Sequence, residues 1–206
     1  LAARECMFLP TLQILRDVWR SWVPVSKTGA VWIFWSITRE PPAGVISWTC
    51  VITDALSLKS YGYLRMAQLV IPHMQKNSWG RIVNIGVGAG ASPGRGNMPT
   101  SIANAMVLNT TRALSDAVAG DGIMVNVINP GVTNTERARD IHQARADKAG
   151  MSVEGLIRDV GSKLPAGRIA EPEEVARVAC FFASEACSYV FGSSVYMDGG
   201  QRRATP

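Results

Sequence analysis

Beyond residue 54 the chain switches regularly between two apolar periods. From Asp54 to Gln75, Leu58, Tyr61, Leu64, Leu69 and Met74 fall at helical spacing, which predicts a helix. Arg81–Val87 (RIVNIGV) is a β-rich apolar run behind Trp79-Gly80, the pattern of a strand buried on both faces. Gly86 to Pro99 reads as a glycine- and proline-rich loop. Thr100 to Ala119 predicts a second helix, with Ile102, Ala105, Leu108, Thr111 and Leu114 on neighbouring turns and Gly120-Asp121-Gly122 as its stop. Ile123 to Ile128 is a second buried strand, closed by Asn129-Pro130-Gly131. Glu136 to Lys163 is polar and predicts a pair of helices over a site. Glu171-Pro172-Glu173-Glu174 opens a further helix towards Ser184, with proline in the first turn and acids at the positive end of the dipole. Ser194 to Met197 is a last strand, ended by Asp198-Gly199-Gly200. Strands alternating with helices predict a parallel α/β sheet.

The first fifty residues are of another character. They hold five of the six tryptophans (Trp19, Trp22, Trp32, Trp35, Trp48) but only Gly29 and Gly44 of nineteen glycines, and no period is sustained. This divides the chain into an atypical segment, 1–53, and a regular one, 54–206. The whole is globular in composition, 47% hydrophobic and 18% charged. Its net charge of +5 is spread over residues such as Arg16, Arg81, Arg112 and Arg177, without a basic run interleaved with aromatics, so a nucleic-acid partner is not expected. Cys6, Cys50, Cys180 and Cys187 form no C-x-x-C pair, and with only His73 and His142 beside them no metal site is expected. They read as reduced, mostly buried thiols of a cytoplasmic protein. The longest apolar run near the start, Ala30 to Ile37, is too short to span a membrane, and Leu1 to Arg20 carries charges where a signal peptide needs an apolar centre.

Five segments, in this order and spacing, resemble the short-chain dehydrogenase/reductase family. They are GRIVNIG at Gly80–Gly86, TRALS at Thr111–Ser115, VNVINPGVTNT at Val125–Thr135, GRIAEPEEVARVACFFAS at Gly167–Ser184 and SSVYMDGG at Ser193–Gly200. The resemblance implies a Rossmann-like doubly wound parallel sheet, NAD or NADP as cofactor, a small-molecule hydroxyl or carbonyl substrate and a homo-oligomer. In such enzymes a Tyr hydroxyl exchanges a proton with the substrate oxygen. A Lys one helical turn later lowers the Tyr pKa and binds the ribose, and a Ser at a strand end polarises the carbonyl.

Aligned on the same anchors, the Ser slot falls on Val87, the Tyr slot on Thr100 and the Lys slot on Asn104. Val87 has no donor and suits a core strand end. Thr100 carries an aliphatic hydroxyl, too weak an acid to replace a phenol, and behind Pro99 suits a helix N-cap. Asn104 is uncharged and fits either a cofactor contact or plain polar surface. The family's helix-borne Asn, counted back from Gly80, lands on Lys59. After the second strand, Pro130-Gly131 turns the chain. By resemblance, backbone groups near Val132 and the Thr135 hydroxyl meet the nicotinamide carboxamide and phosphates. Gly86–Ala91 fits G-x-G-x-x-A, but Ser92-Pro93-Gly94-Arg95-Gly96 follows where a phosphate-binding loop needs a helix at once. It reads as a substrate loop.

The family's glycine-rich phosphate loop and its Asn-Asn-Ala-Gly segment are missing before Asp54. Taking each codon's third base as a first base from Gly29 onward permits Gly-Arg-Val-Asp-Ile-Leu-Val-Asn-Asn-Ala-Gly, that segment's signature. Residues 1–53 therefore read as out of frame with the family, the rival reading being a genuine but divergent segment, and the sequence predicts that Arg81–Val87 lacks a partner strand on one edge. With the phosphate loop and the Tyr/Lys pair gone, turnover is expected to be weak or absent. The alternative expectation is a non-catalytic relative that keeps the family's oligomer surfaces.

Overall fold

A computed structural model describes residues 31–34, 52–53, 55–94 and 97–203, with 31–34 and Arg137 described as backbone alone. The two apolar runs form the centre of a four-stranded, wholly parallel sheet. Its strands are β1 (Val31–Phe34), β2 (Gly80–Ile85), β3 (Ile123–Pro130) and β4 (Ser194–Met197), neighbours in that order. Parallel neighbours require crossovers. These run through α1 (Tyr61–Lys76, entered by a π-helical turn, Leu56–Ser60), α2 (Met98–Val118), and the trio α3 (Glu136–Ala149), α4 (Val153–Ser162) and α5 (Pro172–Ala183).

Every residue of β2 is buried, and all of β3 except Pro130. The period-2 alternation of strands sends the two sets of side chains to different helices. Ile82, Ile123, Val125 and Val127 pack with Tyr63, Ala67, Val70 and Met74 of α1 and Val107 and Val118 of α2. Val83, Ile85, Met124 and Ile128 pack on the other face with Val175, Ala179 and Phe182 of α5. Helices on both faces make the fold doubly wound. Buried polar groups tie the layers together: Asn84 Nδ2 donates to Thr111 Oγ1 at 2.8 Å, and Asn126 bonds to the Val190 carbonyl and the Ser193 N–H. Gly122, after α2, adopts φ +74°, and a Cβ there would strike the Ser78 carbonyl, so only glycine closes this turn without strain.

Three expectations change. Asn129 and Pro130 do not close β3 but belong to it, because Asn129 pairs with Tyr196 and Pro130 with Met197 of β4. Proline is tolerated there as the terminal residue. Helix α2 begins at Met98, two residues before Thr100. The expected bare edge of Arg81–Val87 is covered: Val31–Phe34 pairs in parallel with Arg81–Asn84, Val31 opposite Arg81. An extended four-residue run needs only backbone groups to do this, whatever frame encodes it. The rest of the expectation for 1–53, with Arg16, Cys6 and Cys50, lies outside the described residues except at 52–53. Cys180 and Cys187 are free thiols, exposed and buried respectively. No helix among the described residues is long and apolar enough to cross a membrane.

If β1 protects the β2 edge, prolines at both Trp32 and Ile33 will expose it, since alternate residues of a strand donate to one neighbour and one of the two must lose a donor. The double variant should lose about 3 kcal/mol in urea titration and show more aggregate than the parent on size-exclusion chromatography. An unchanged midpoint would refute the pairing.

Candidate active site

In open α/β sheets, ligands bind outside the carboxyl ends of the strands. Here those ends carry Gly86-Val87 after β2 and Gly131–Thr135 after β3. Gly86 N–H continues the ladder to the Ile128 carbonyl (2.7 Å), and at Val87 the chain leaves the sheet still extended. A short 3₁₀ turn, Gly88–Gly90, then lies directly on α2: a Cβ on Gly90 would sit 2.7 Å from the Asn104 carbonyl carbon. The helix proper begins only at Met98, so Gly86–Ala91 is not followed at once by a helix N-terminus, as its reading as a non-phosphate loop requires.

The three family slots meet at this turn. Asn104 has 0% exposure. Its Oδ1 accepts from Val87 N–H at 3.0 Å, and its Nδ2 donates to the Thr100 carbonyl at 2.8 Å. It is therefore not polar surface. The amide oxygen fastens the strand end to the helix, and the amide nitrogen is taken up by the helix's own first turn. Nor is Thr100 the N-cap. That position is Asn97, whose Oδ1 accepts from Gly94 N–H and Ser101 Oγ, leaving Thr100 in the first turn and half-buried. Val87 is half-buried at the strand end and offers no side-chain donor.

After β3, Gly131 N–H donates to the Met197 carbonyl (3.0 Å), and a Cβ on Gly131 would lie 2.8 Å from Asp198 Cα. The Val132 carbonyl accepts from Ala170 N–H, while Val132 N–H has no partner among the described residues. Thr135 caps α3: its Oγ1 accepts from Ala138 N–H at 3.1 Å, which leaves its hydroxyl proton free to donate. These groups fit the carboxamide end of a nicotinamide cofactor. Among the described residues no glycine loop sits at a helix N-terminus to hold the pyrophosphate, so the fit is to one end only. Beside Val132 lies a cavity of about 250 Å³, lined also by Leu164, Arg168, Glu174, Met197 and Asp198. Arg168 and Glu174 pair through two hydrogen bonds of 2.7 Å, and with the Glu171 N–H they hold the Glu174 carboxyl down to about 2. The pair is missed by pattern reading because its two residues belong to a loop and a helix. The Glu171–Glu174 capping box is foreshadowed by EPEE.

Lys59 is the residue on which the count back from Gly80 places the family's helix-borne Asn. It lies in the π-helical turn, is 2% exposed, and among the described residues has no hydrogen bond or ion pair. Burial alone lowers its pKa from 10.5 to about 8. Its neighbours are anchored: Ser60 Oγ donates to the Ala103 carbonyl (2.9 Å) and Tyr63 OH to the Ile85 carbonyl (3.0 Å).

Asn104→Ala should leave the part-buried Val87 N–H without its acceptor, while the Thr100 carbonyl keeps its helical bond, costing about 1–3 kcal/mol in chemical denaturation; a cost below about 0.5 kcal/mol, the ordinary scatter of surface changes, would mean the latch is idle. For Lys59 the folded state releases its proton near pH 8, whereas the unfolded chain keeps it to 10.5. The fold therefore bears the full cost of a buried charge below pH 8, and stability rises with pH between 8 and 10.5. Lys59→Met should remove that rise and add about 3 kcal/mol at neutral pH, which melts recorded from pH 7 to 10.5 will show.

A family model described as enoyl-(acyl carrier protein) reductase matches residues 50–202. The 3-oxoacyl-[acyl-carrier-protein] reductase FabG of Pseudomonas aeruginosa is 33% identical over 147 residues, 71% of this chain and 55% of that protein. The acetoacetyl-CoA reductase of Shinella zoogloeoides is 34% identical over 154 residues, 75% of this chain and 58% of that protein. The chain thus spans less than two thirds of the curated relatives it matches. Among solved structures, that of YwfH, an NADPH-dependent reductase involved in bacilysin biosynthesis, superposes with a TM-score of 0.75 at 25% identity, covering 95% of this chain and 74% of that one. Together with the doubly wound sheet, these matches place the chain in the short-chain dehydrogenase/reductase family.

Proposed function

We propose that this chain is an oxidoreductase of a keto or hydroxyl compound, dependent on NAD or NADP, with turnover far below that of a relative holding the Ser, Tyr and Lys set. The observation that carries the reading is the strand-end arrangement after β3: a Val132 N–H without a partner among the described residues, beside a cavity that Val132 lines, and a Thr135 hydroxyl able to donate. NADPH dependence and acetoacetyl-CoA as substrate are properties of relatives by their names, and they select the ligands to try first. When bound, the nicotinamide would exchange hydride with the substrate carbon. Residues of this chain would do the rest: Val132 and Thr135 orient the ring end, and the Thr100 hydroxyl is the one hydroxyl donor in the catalytic slots. Low turnover is argued from Asn104, whose amide is consumed in holding Val87 and Thr100 and carries no charge. A cytoplasmic location belongs to the same reading.

A second reading is a non-catalytic relative acting through self-association. It is favoured by the apolar side chains that α1 and α2 leave in solvent, Tyr61, Leu69 (59% exposed) and Ile102.

Titration with NADPH and NADH, followed by nicotinamide fluorescence, separates the two. The first reading expects saturable binding, together with acetoacetyl-CoA-dependent NADPH oxidation about 10²–10⁴-fold slower than a relative with the intact Tyr, the usual contribution of a general acid. Absence of saturable binding, with a dimer or larger species by light scattering, would transfer the case to the second.

A further inference from the structure

Asn134 lies in the loop after β3, between Val132 and the Thr135 cap of α3, and its amide is spanned by opposite charges. Nδ2 donates to both carboxylate oxygens of Glu171, at 3.1 and 3.2 Å, and Oδ1 accepts from the Arg139 guanidinium at 3.4 Å. An amide has donors at one end and an acceptor at the other. A carboxylate in its place would set like charge against Glu171, and an ammonium would do so against Arg139.

Both partners are held from behind. The Glu171 N–H donates to the Glu174 carboxylate at 2.8 Å, and that carboxylate takes two further bonds of 2.7 Å from Arg168. Arg139 Nη1 lies 3.5 Å from Glu154 of α4. Asn134 is thus the one uncharged link in a line that runs from the start of α5 through the loop to α3 and α4. The backbone fixes only part of this loop. Ala170 N–H donates to the Val132 carbonyl (3.1 Å), and the Ala170 carbonyl accepts from Asn134 N–H (2.8 Å), which makes a single parallel bridge between Thr133 and Ala170. One bridge sets the register of the loop but leaves it a pivot. The contact from Asn134 to Glu171, the residue after Ala170, supplies a second point of attachment. Val132 and Thr135 stand on either side of that attachment.

We propose that Asn134 is a positioning residue: by clamping the loop after β3 to Glu171, it sets the Val132 N–H and the Thr135 hydroxyl in one arrangement before a nicotinamide cofactor binds. The cofactor part of this rests on the function proposed above, whereas the clamp itself is a property of the free chain. The Asn134 side chain is taken up by Glu171 and Arg139, so its contribution is preorganisation, the loop ordering that binding would otherwise have to supply. The bonds are exposed to solvent, which keeps that contribution modest.

A charge swap on the full-length chain tests this. In NADPH titrations followed by nicotinamide fluorescence, Asn134→Asp should weaken binding about three- to tenfold, the loss of one such bond. Glu171→Gln alone should change it less than about twofold, since a Gln oxygen still accepts from Asn134. Combining the two should restore binding to within about twofold of the parent, because the Gln amide then donates to the new carboxylate. Hydrogen exchange reads the same clamp without cofactor: the Asn134 and Thr135 amides should exchange faster in Asn134→Asp and recover in the double variant. Parent-like binding by Asn134→Asp, or a loss that Glu171→Gln does not repair, would overturn the proposal. So would a melting temperature that falls and recovers in step with binding, the mark of a merely structural bond. If neither NADPH nor NADH binds the parent, the proposed function and the cofactor role fall together, and unchanged exchange in Asn134→Asp would remove the clamp as well.

Discussion

The structure depends on the parallel pairing of Gly80–Ile85 with Ile123–Ile128, buried on both faces. A parallel ladder cannot close on itself through a short turn, so its formation obliges α2 to cross over one face and return. Burial on the second face then obliges α5 to cover Val83, Ile85, Met124 and Ile128. The layering of helices over the sheet is a consequence of this double burial. Removing either face would leave a row of Val and Ile side chains in water, at about 25 cal/mol for each Å² exposed.

The same ladder sets the site. Because β2 and β3 end side by side, Val87 and Gly131 leave the sheet on the same side, and the helices that precede β2 and β3 begin there. Two small polar devices then fix the details. Asn104 stitches the strand end to α2 through its amide oxygen, while its amide nitrogen donates back to the Thr100 carbonyl of its own helix. Gly90, having no Cβ, lets the intervening turn lie against the Asn104 backbone. Hydrogen bonds of this kind contribute modestly when made and cost more when left unmade, which is why they define one arrangement of the loop.

The three residues that the sequence anchors align with the family's catalytic slots are each suited to their local structure. Val87 is apolar at a strand end, Thr100 sits in a first helical turn, and Asn104 is buried and satisfied. Each suits the local structure it occupies.

Much of this was legible in the chain. RIVNIGV and IMVNVI could only be strands covered on both faces, EPEE announced a capped helix, and SVYM was delimited by Ser193 and Asp198-Gly199-Gly200, because local pattern and local burial agree there. The order of segments identified the family and hence the handedness of the winding. What the sequence could not decide was everything that depends on a distance between remote residues. The burial of Asn104, the capping of α2 by Asn97 in place of Thr100, the pairing of Arg168 with Glu174 and the burial of Lys59 all arise from where elements come to rest. The covering of the β2 edge by Val31–Phe34 is of the same kind, since backbone hydrogen bonds are indifferent to side-chain pattern and any extended run within reach can form them.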